Sequence, residues 1–169
     1  MGRKIIIVCI LLLITGCAEF DLYIKKGKTP AKVSKVLIGN FEFRNMAYDP
    51  YVSNEYREAL KFEFFKREVD AVLISENGDS SQELTEKIPG IAAKYKGDIF
   101  IRGIITQRET GFLTDREIHS SVNFIIYSSE GKQIGESYYY TVEPAADESV
   151  KRAASGKFVK EFLEHIINR

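Results

Sequence analysis

Tryptophan is absent from the 169 residues, and cysteine and histidine occur twice each. The two histidines, His119 and His165, stand at no HExxH or comparable metal-ligand spacing, so the common zinc motifs are excluded. No Gly-x-Ser-x-Gly elbow, phosphate loop or dinucleotide fingerprint occurs either. The sequence therefore predicts no enzyme, no metal site and no cofactor. A charge excess is also missing: 24 basic residues meet 24 acidic ones. A nucleic-acid partner normally requires a basic face, and this balance argues against one. Finally, no apolar run approaches the roughly twenty residues that span a bilayer as a helix. The longest, Ile5 to Ile14, has ten.

That short run is itself informative. Arg3 and Lys4 precede it, and Thr15-Gly16 supply small residues after it, the order of parts in a secretory signal. The next residue is Cys17, so Ile14-Thr15-Gly16-Cys17 resembles a bacterial lipobox, with Ile in place of the usual Leu. The resemblance implies cleavage before Cys17, a diacylglycerol on its thiol and an acylated amino terminus. An ordinary cleaved signal that happens to precede a cysteine is the plainer alternative. Cys9 leaves with residues 1–16, so Cys17 is the sole cysteine of the mature chain and no disulfide can form within it. Lipidation accounts for that unpaired thiol in an oxidising compartment. Two or three acyl chains, at roughly 0.8 kcal/mol per buried CH₂, hold a protein on a membrane without a span.

The mature 153 residues lose Arg3 and Lys4, leaving 22 bases against 24 acids, and suit one domain. Residues 17–35 read as a lipidated tether. Lys25, Lys26, Lys28, Lys32 and Lys35 crowd its second half, either as a strip for anionic head groups or as a solvated linker. Extended, Ala18 to Lys35 reaches at most about 60 Å, enough to hold a domain clear of the membrane. Phe20 to Ile24 has the pattern of a short edge strand.

Residues 36–169 read as one α/β domain. Val36 to Phe43 predicts a strand, and Ser53 an N-cap for a helix to about Glu68. Tyr56, Ala59, Leu60 and Phe64 give that helix its buried stripe, which Phe62 and Phe65 broaden. Val69 to Ser75 predicts a second strand. Ser80 to Glu83 has capping-box spacing and opens a second helix, which Pro89-Gly90 should break or kink and Gly97 end. Three long strands follow, Asp98 to Glu109, Glu117 to Ser128 and Gln133 to Val142, the last two joined by a tight turn at 129–132. Asp147 caps a final helix. The order βαβαβββα predicts an α+β sandwich: a mixed sheet of about five strands containing an antiparallel three-stranded meander, with helices mainly on one face.

This order resembles the periplasmic domain shared by penicillin-binding-protein activator lipoproteins, the curli secretion lipoprotein and the amino-terminal domain of TolB. The resemblance rests on Val36-Leu37-Ile38-Gly39-Asn40-Phe41, on Ala92 to Ile104 with its Gly103-Ile104, and on the turn at Gly131. It spans about Lys35 to Ile167. The curli subunit's extra barrel hairpins have no counterpart here. Phe41-Glu42-Phe43-Arg44-Asn45 with Glu58-Ala59-Leu60 also resembles the lipopolysaccharide-assembly lipoproteins that plug an outer-membrane barrel.

These resemblances imply a lipid-anchored, non-catalytic accessory or docking factor for cell-envelope assembly. It would sit at the outer membrane facing the periplasm and engage an envelope protein. A barrel plug, a surface-exposed adhesin and a displayed hydrolase are the competing expectations. The sequence leaves the oligomeric state open. The partner-binding candidates are Arg102, Tyr127 and Tyr139, expected to share one sheet face as a polar-aromatic patch. An exposed Tyr anchors an interface well, although plain β-propensity also explains Tyr138-Tyr139-Tyr140.

Overall fold

The computed structural model describes residues 18–28, 30, 32–75, 81–112 and 115–167. The signal segment, Cys17, the Ser80 cap and the turn expected at 77–79 lie outside the described residues. The elements run β1 (Glu19–Ile24), β2 (Lys35–Arg44), α1 (Pro50–Phe65), β3 (Asp70–Leu73), α2 (Ser81–Tyr95), β4 (Ile99–Thr110), β5 (Glu117–Ser128), β6 (Gln133–Thr141) and α3 (Glu148–Ile167). The sheet is mixed, with strand order β1-β6-β5-β4-β2-β3. β4, β5 and β6 form the expected antiparallel meander, whereas β2 is parallel to both β3 and β4. The architecture is α+β as predicted, with six strands instead of about five.

The sixth strand is β1, and it changes what residues 18–35 are. Glu19 to Ile24 pairs antiparallel along β6, from Glu19 opposite Tyr140 to Ile24 opposite Gly135. Phe20 and Leu22 turn inward against the core and Ile24 is buried, while Glu19, Asp21 and Tyr23 face solvent. The alternation makes an edge strand, so the sheet begins at Glu19, within the stretch read from the sequence as a tether. The lysine-rich stretch starts where β1 ends, roughly 20 Å along the sheet from Glu19. There Lys25, Lys26 and Lys28 are exposed, with Lys25 Nζ donating to the Gln133 carbonyl at 3.0 Å.

Two apolar clusters lie on opposite faces of the sheet. The larger packs α1 and α3 over Val36, Ile38, Phe41, Ile101, Ile105, Val122, Phe124 and Ile126, with Tyr56, Leu60, Phe64, Phe158 and Phe162 supplied by the helices. Phe124 and Phe158 stack at 4.5 Å between ring centroids. The smaller packs Leu84, Ile88 and Ala92 of α2 against Leu37, Phe100 and Tyr127. So two helices cover one face along its length, and the third covers only one end of the other.

Local chemistry moves two helix features from their predicted places. Helix α1 starts at Pro50, whose fixed φ suits a first helical position, and Asp49 Oδ1 caps it by accepting from Tyr51 N at 2.8 Å and Val52 N at 3.3 Å. Ser53 is inside the helix, where its hydroxyl accepts from Phe41 N at 3.1 Å. Phe62 and Phe65 are not part of the covered face: they are 59% and 75% exposed. Helix α2 continues through Pro89 and ends with Lys96 at φ 55°. Gly97 is needed for space instead, since a Cβ there would meet Leu37 Cγ at 2.4 Å.

Candidate functional site

Strand register decides which side chains share the uncovered half-face. Glu42 of β2 pairs with Ile104, Ile104 with Asn123, Asn123 with Tyr138, and Tyr138 with Asp21. One step along, Arg44, Thr106, Ser121, Tyr140 and Glu19 are in register. Paired residues point the same way, so these two rows form a polar and aromatic surface at the end of the sheet that α2 does not reach.

A shallow depression of about 350 Å³ lies in this surface, lined by Thr106, Arg108, His119, Ser121, Tyr138 and Tyr140 among others. Arg108 is exposed and Tyr138 is 40% exposed. His119 Nδ1 and the Tyr140 hydroxyl are hydrogen-bonded at 2.5 Å, and the rings lie nearly parallel. His119 Nε2 is 3.4 Å from a Glu117 carboxylate oxygen. On the β2 side, Glu42 accepts from Arg44 Nε at 2.8 Å and stands 3.8 Å from Arg102 Nη2. The arrangement offers a guanidinium, two phenols and hydroxyls for hydrogen bonding, with aromatic area for burial.

The three residues singled out from the sequence do not form the expected patch. Arg102 does project from this face, but it is 9% exposed and its guanidinium is directed to Glu42. Tyr127 projects from the same face at the far end, where it is 7% exposed beneath α2, edge-on to Phe100 at 6.4 Å. Tyr139 faces the other way. It pairs with Val122, belongs to the large core and is 3% exposed, with Lys157 Nζ 5.5 Å from its ring. Burial, and then the nearby Glu143 charge, hold its phenol above the ordinary value.

Tyr138, Tyr140 and Arg108 are what the sequence reading missed. A signal was present: Glu136 shares parity with Tyr138 and Tyr140, and it is exposed. Gly135, Ser137, Tyr139 and Thr141 carry the opposite parity and are buried. A charged residue in one parity class marks the solvent face.

Among the described residues, no group of three or more His, Cys, Asp or Glu is placed to hold a metal ion. Among them, too, no helix is long and apolar enough to cross a membrane. Tyr56 is buried in the large core, where its hydroxyl donates to the Ala145 carbonyl at 2.8 Å. Burial, with the Tyr139 and Asp147 charges, pushes that phenol far above its usual titration range.

No protein-family model matches the sequence, and no curated protein matches it either. Solved structures do. The PelC dodecamer of Paraburkholderia phytofirmans superposes with a TM-score of 0.57 at 11% identity, over 83% of this chain and 93% of that one. A point variant of the same PelC, also solved as a dodecamer, gives 0.55 at 12% identity over 82% and 94%. Lipoprotein GNA1162 of Neisseria meningitidis gives 0.46 at 10% identity over 80% and 99%. The chain thus has the fold of PelC, spanning nearly all of that protein's solved chain.

Proposed function

We propose that the chain is a non-catalytic envelope lipoprotein, acylated at Cys17 and held on the outer membrane facing the periplasm. It docks an envelope-assembly protein on the uncovered half of its sheet. The observation that carries the reading is the position of that surface: the rows through Tyr138 and Tyr140 lie at the end of the sheet where Glu19 follows Cys17. A partner working at the membrane meets them first. The likeness to PelC supports the fold that this reading assumes.

Within this class the role best supported is that of the synthase activators, the curli secretion lipoprotein and the TolB amino-terminal domain. Two of the sequence landmarks for that group, Phe41 and Gly103, are register partners in direct contact.

The test uses the double variant Arg108→Glu/Tyr138→Ser, purified from membranes beside the parent chain. Both side chains are solvent-facing, so the variant keeps the parent's thermal midpoint. It loses the envelope protein that copurifies with the parent. An unchanged copurification profile rejects this face as the docking surface.

A second reading concerns self-assembly, since PelC was solved as a dodecamer. β3 is the far edge of the sheet, and the exposed Phe62 and Phe65 line a hollow beside its Asp70 and Ala71. An open edge next to exposed aromatic rings offers a seat for a second copy. Mass photometry in detergent decides this, because a single-chain mass counts against assembly.

A further inference from the structure

The covalent anchor and the sheet are close in sequence. Glu19 opens β1 two residues after Cys17, and two residues span at most about 7 Å. Register then fixes what stands at that end of the molecule. Glu19 is opposite Tyr140, Ser120 opposite Thr141 and Thr110 opposite Glu117. The ends of β2, β4 and β6 and the starts of β5, α1 and α3 therefore all gather on the anchor side.

The β4–β5 hairpin outruns its neighbours there. β2 is last paired with β4 at Thr106 and β6 last paired with β5 at Ser120, while β4 and β5 stay paired to Thr110 and Glu117. Four further residues on β4 carry the hairpin roughly 13 Å beyond the β2 end of the sheet. Phe112 follows at the end of that projection and is 81% exposed. Tyr51, in the first turn of α1, is 81% exposed, and Tyr48, in the loop before it, is 61% exposed. Tyr48 is steadied edge-on by Phe43 at 5.3 Å. Three exposed aromatic rings thus stand at the end of the domain that the acyl chains hold against the bilayer.

We propose that Phe112, with Tyr48 and Tyr51 at the same end, enters the interfacial zone of the anchoring membrane and gives the domain a second contact with it. This rests on the reading that Cys17 is lipidated. Aromatic side chains partition to that zone, and an anchor plus a second contact hold a domain better than an anchor alone. The nearby charges set the kind of surface. Glu109, Asp115, Glu117, Glu143 and Asp147 are exposed at this end, against Arg44, Arg108 and Arg116, so the ligand is a zwitterionic bilayer surface, not an anionic one. The contact points the strands away from the bilayer and fixes the direction in which the Tyr138 face looks.

The missing tryptophan makes the test clean, because an introduced indole is the only one in the chain. Phe112→Trp is made in the membrane-extracted protein, with Tyr95→Trp as control. Tyr95 ends α2, at the opposite end of the sheet. Both are reconstituted on phosphatidylcholine vesicles with and without bromine on the acyl chains. The indole at 112 shifts to the blue and loses about half its emission or more in bromolipid, as expected for a ring 5–10 Å into the head-group boundary. The indole at 95 is unchanged.

Vesicle flotation and the mass of the Cys17 peptide separate the two claims. An acylated, floating protein whose indole at 112 is unquenched overturns the insertion and leaves the anchor standing. A protein that seats this tip on a protein partner gives that result. A chain that is neither acylated nor floating overturns both. An unacylated chain that floats and is quenched overturns the anchor and supports the insertion.

Discussion

The ring of Phe41 occupies the space that a side chain at position 103 would need. A Cβ on Gly103 would stand 1.9 Å from Phe41 Cε1 and 2.0 Å from Cδ1. The ring cannot move aside easily, because it is stacked on Tyr56 at 5.2 Å and meets Phe124 edge-on at 5.9 Å. Overpacking of such a site costs about 3 kcal/mol. Gly103→Ala is accordingly expected to lower the urea midpoint sharply while a neighbouring surface substitution does not.

Gly156 is the opposite case. It lies inside α3, and a Cβ there would find only the Glu63 carboxylate group at 3.7 to 3.9 Å, an ordinary contact. Nothing requires a glycine, so the helix carries its backbone entropy cost without a packing reason. Gly156→Ala should stabilise the fold by about 0.5–1 kcal/mol, read as a higher melting temperature. A lower one would mean that α1 and α3 approach more closely than these distances allow.

Asp98 ties the start of β4 to the start of β2. Its Oδ2 accepts from Ser34 N at 2.7 Å, Ser34 Oγ at 2.9 Å and Lys35 N at 2.9 Å. Burial alone would raise this carboxyl, but the hydrogen bonds from Ser34 and Lys35 outweigh it and hold the group below the usual carboxylate range. A lowered folded-state pKa means that the bond network stabilises fully above the unfolded value, near 4, and is lost as pH falls through the folded value. Asp98→Asn should cost about 1 kcal/mol at pH 7, after allowing for solvent screening. Its stability should also vary less with pH below about 4 than the parent's. Denaturation at a series of acidic pH values measures both.

The long strands were legible because β5 and β6 alternate over most of their length, Gly131, at φ 78°, closes their turn, and β4 opens as a continuous apolar run buried on both faces. The start of α1 was harder. Asp49-Pro50 and Ser53 are both credible caps, and what decides is Ser53 bonding to Phe41 N, a tertiary contact that local sequence does not contain. Pro89 looked like a break. The helix survives it because Leu84, Ile88 and Ala92 dock as one stripe on Leu37 and Phe100. Pro89 has no N–H to give the Thr85 carbonyl, and Gly131 packs so close that a Cβ there would stand 2.5 Å from that oxygen. For the candidate site, alternation separates Tyr139 from Tyr138 and Tyr140, Glu136 marks the solvent side of β6, and α1 and α3 dock on the other.

That division of the tyrosines can be read in stability. Tyr139→Ala removes a buried ring from the main core and is expected to cost about 3–5 kcal/mol, in the range of a lost core aromatic. Tyr138→Ala removes a half-exposed ring and should change stability by less than about 1 kcal/mol. Equal losses would contradict the assignment of faces.

The central claim is that the sheet face through Tyr138 docks an envelope protein at the anchored end. Photo-crosslinking in cells tests it most directly, with a benzophenone side chain at position 138, at Arg108 and, as control, at Phe62 on α1. The account predicts one envelope protein captured from 138 and 108 and not from 62. Capture from 62 alone, with positions 138 and 108 silent, would contradict it.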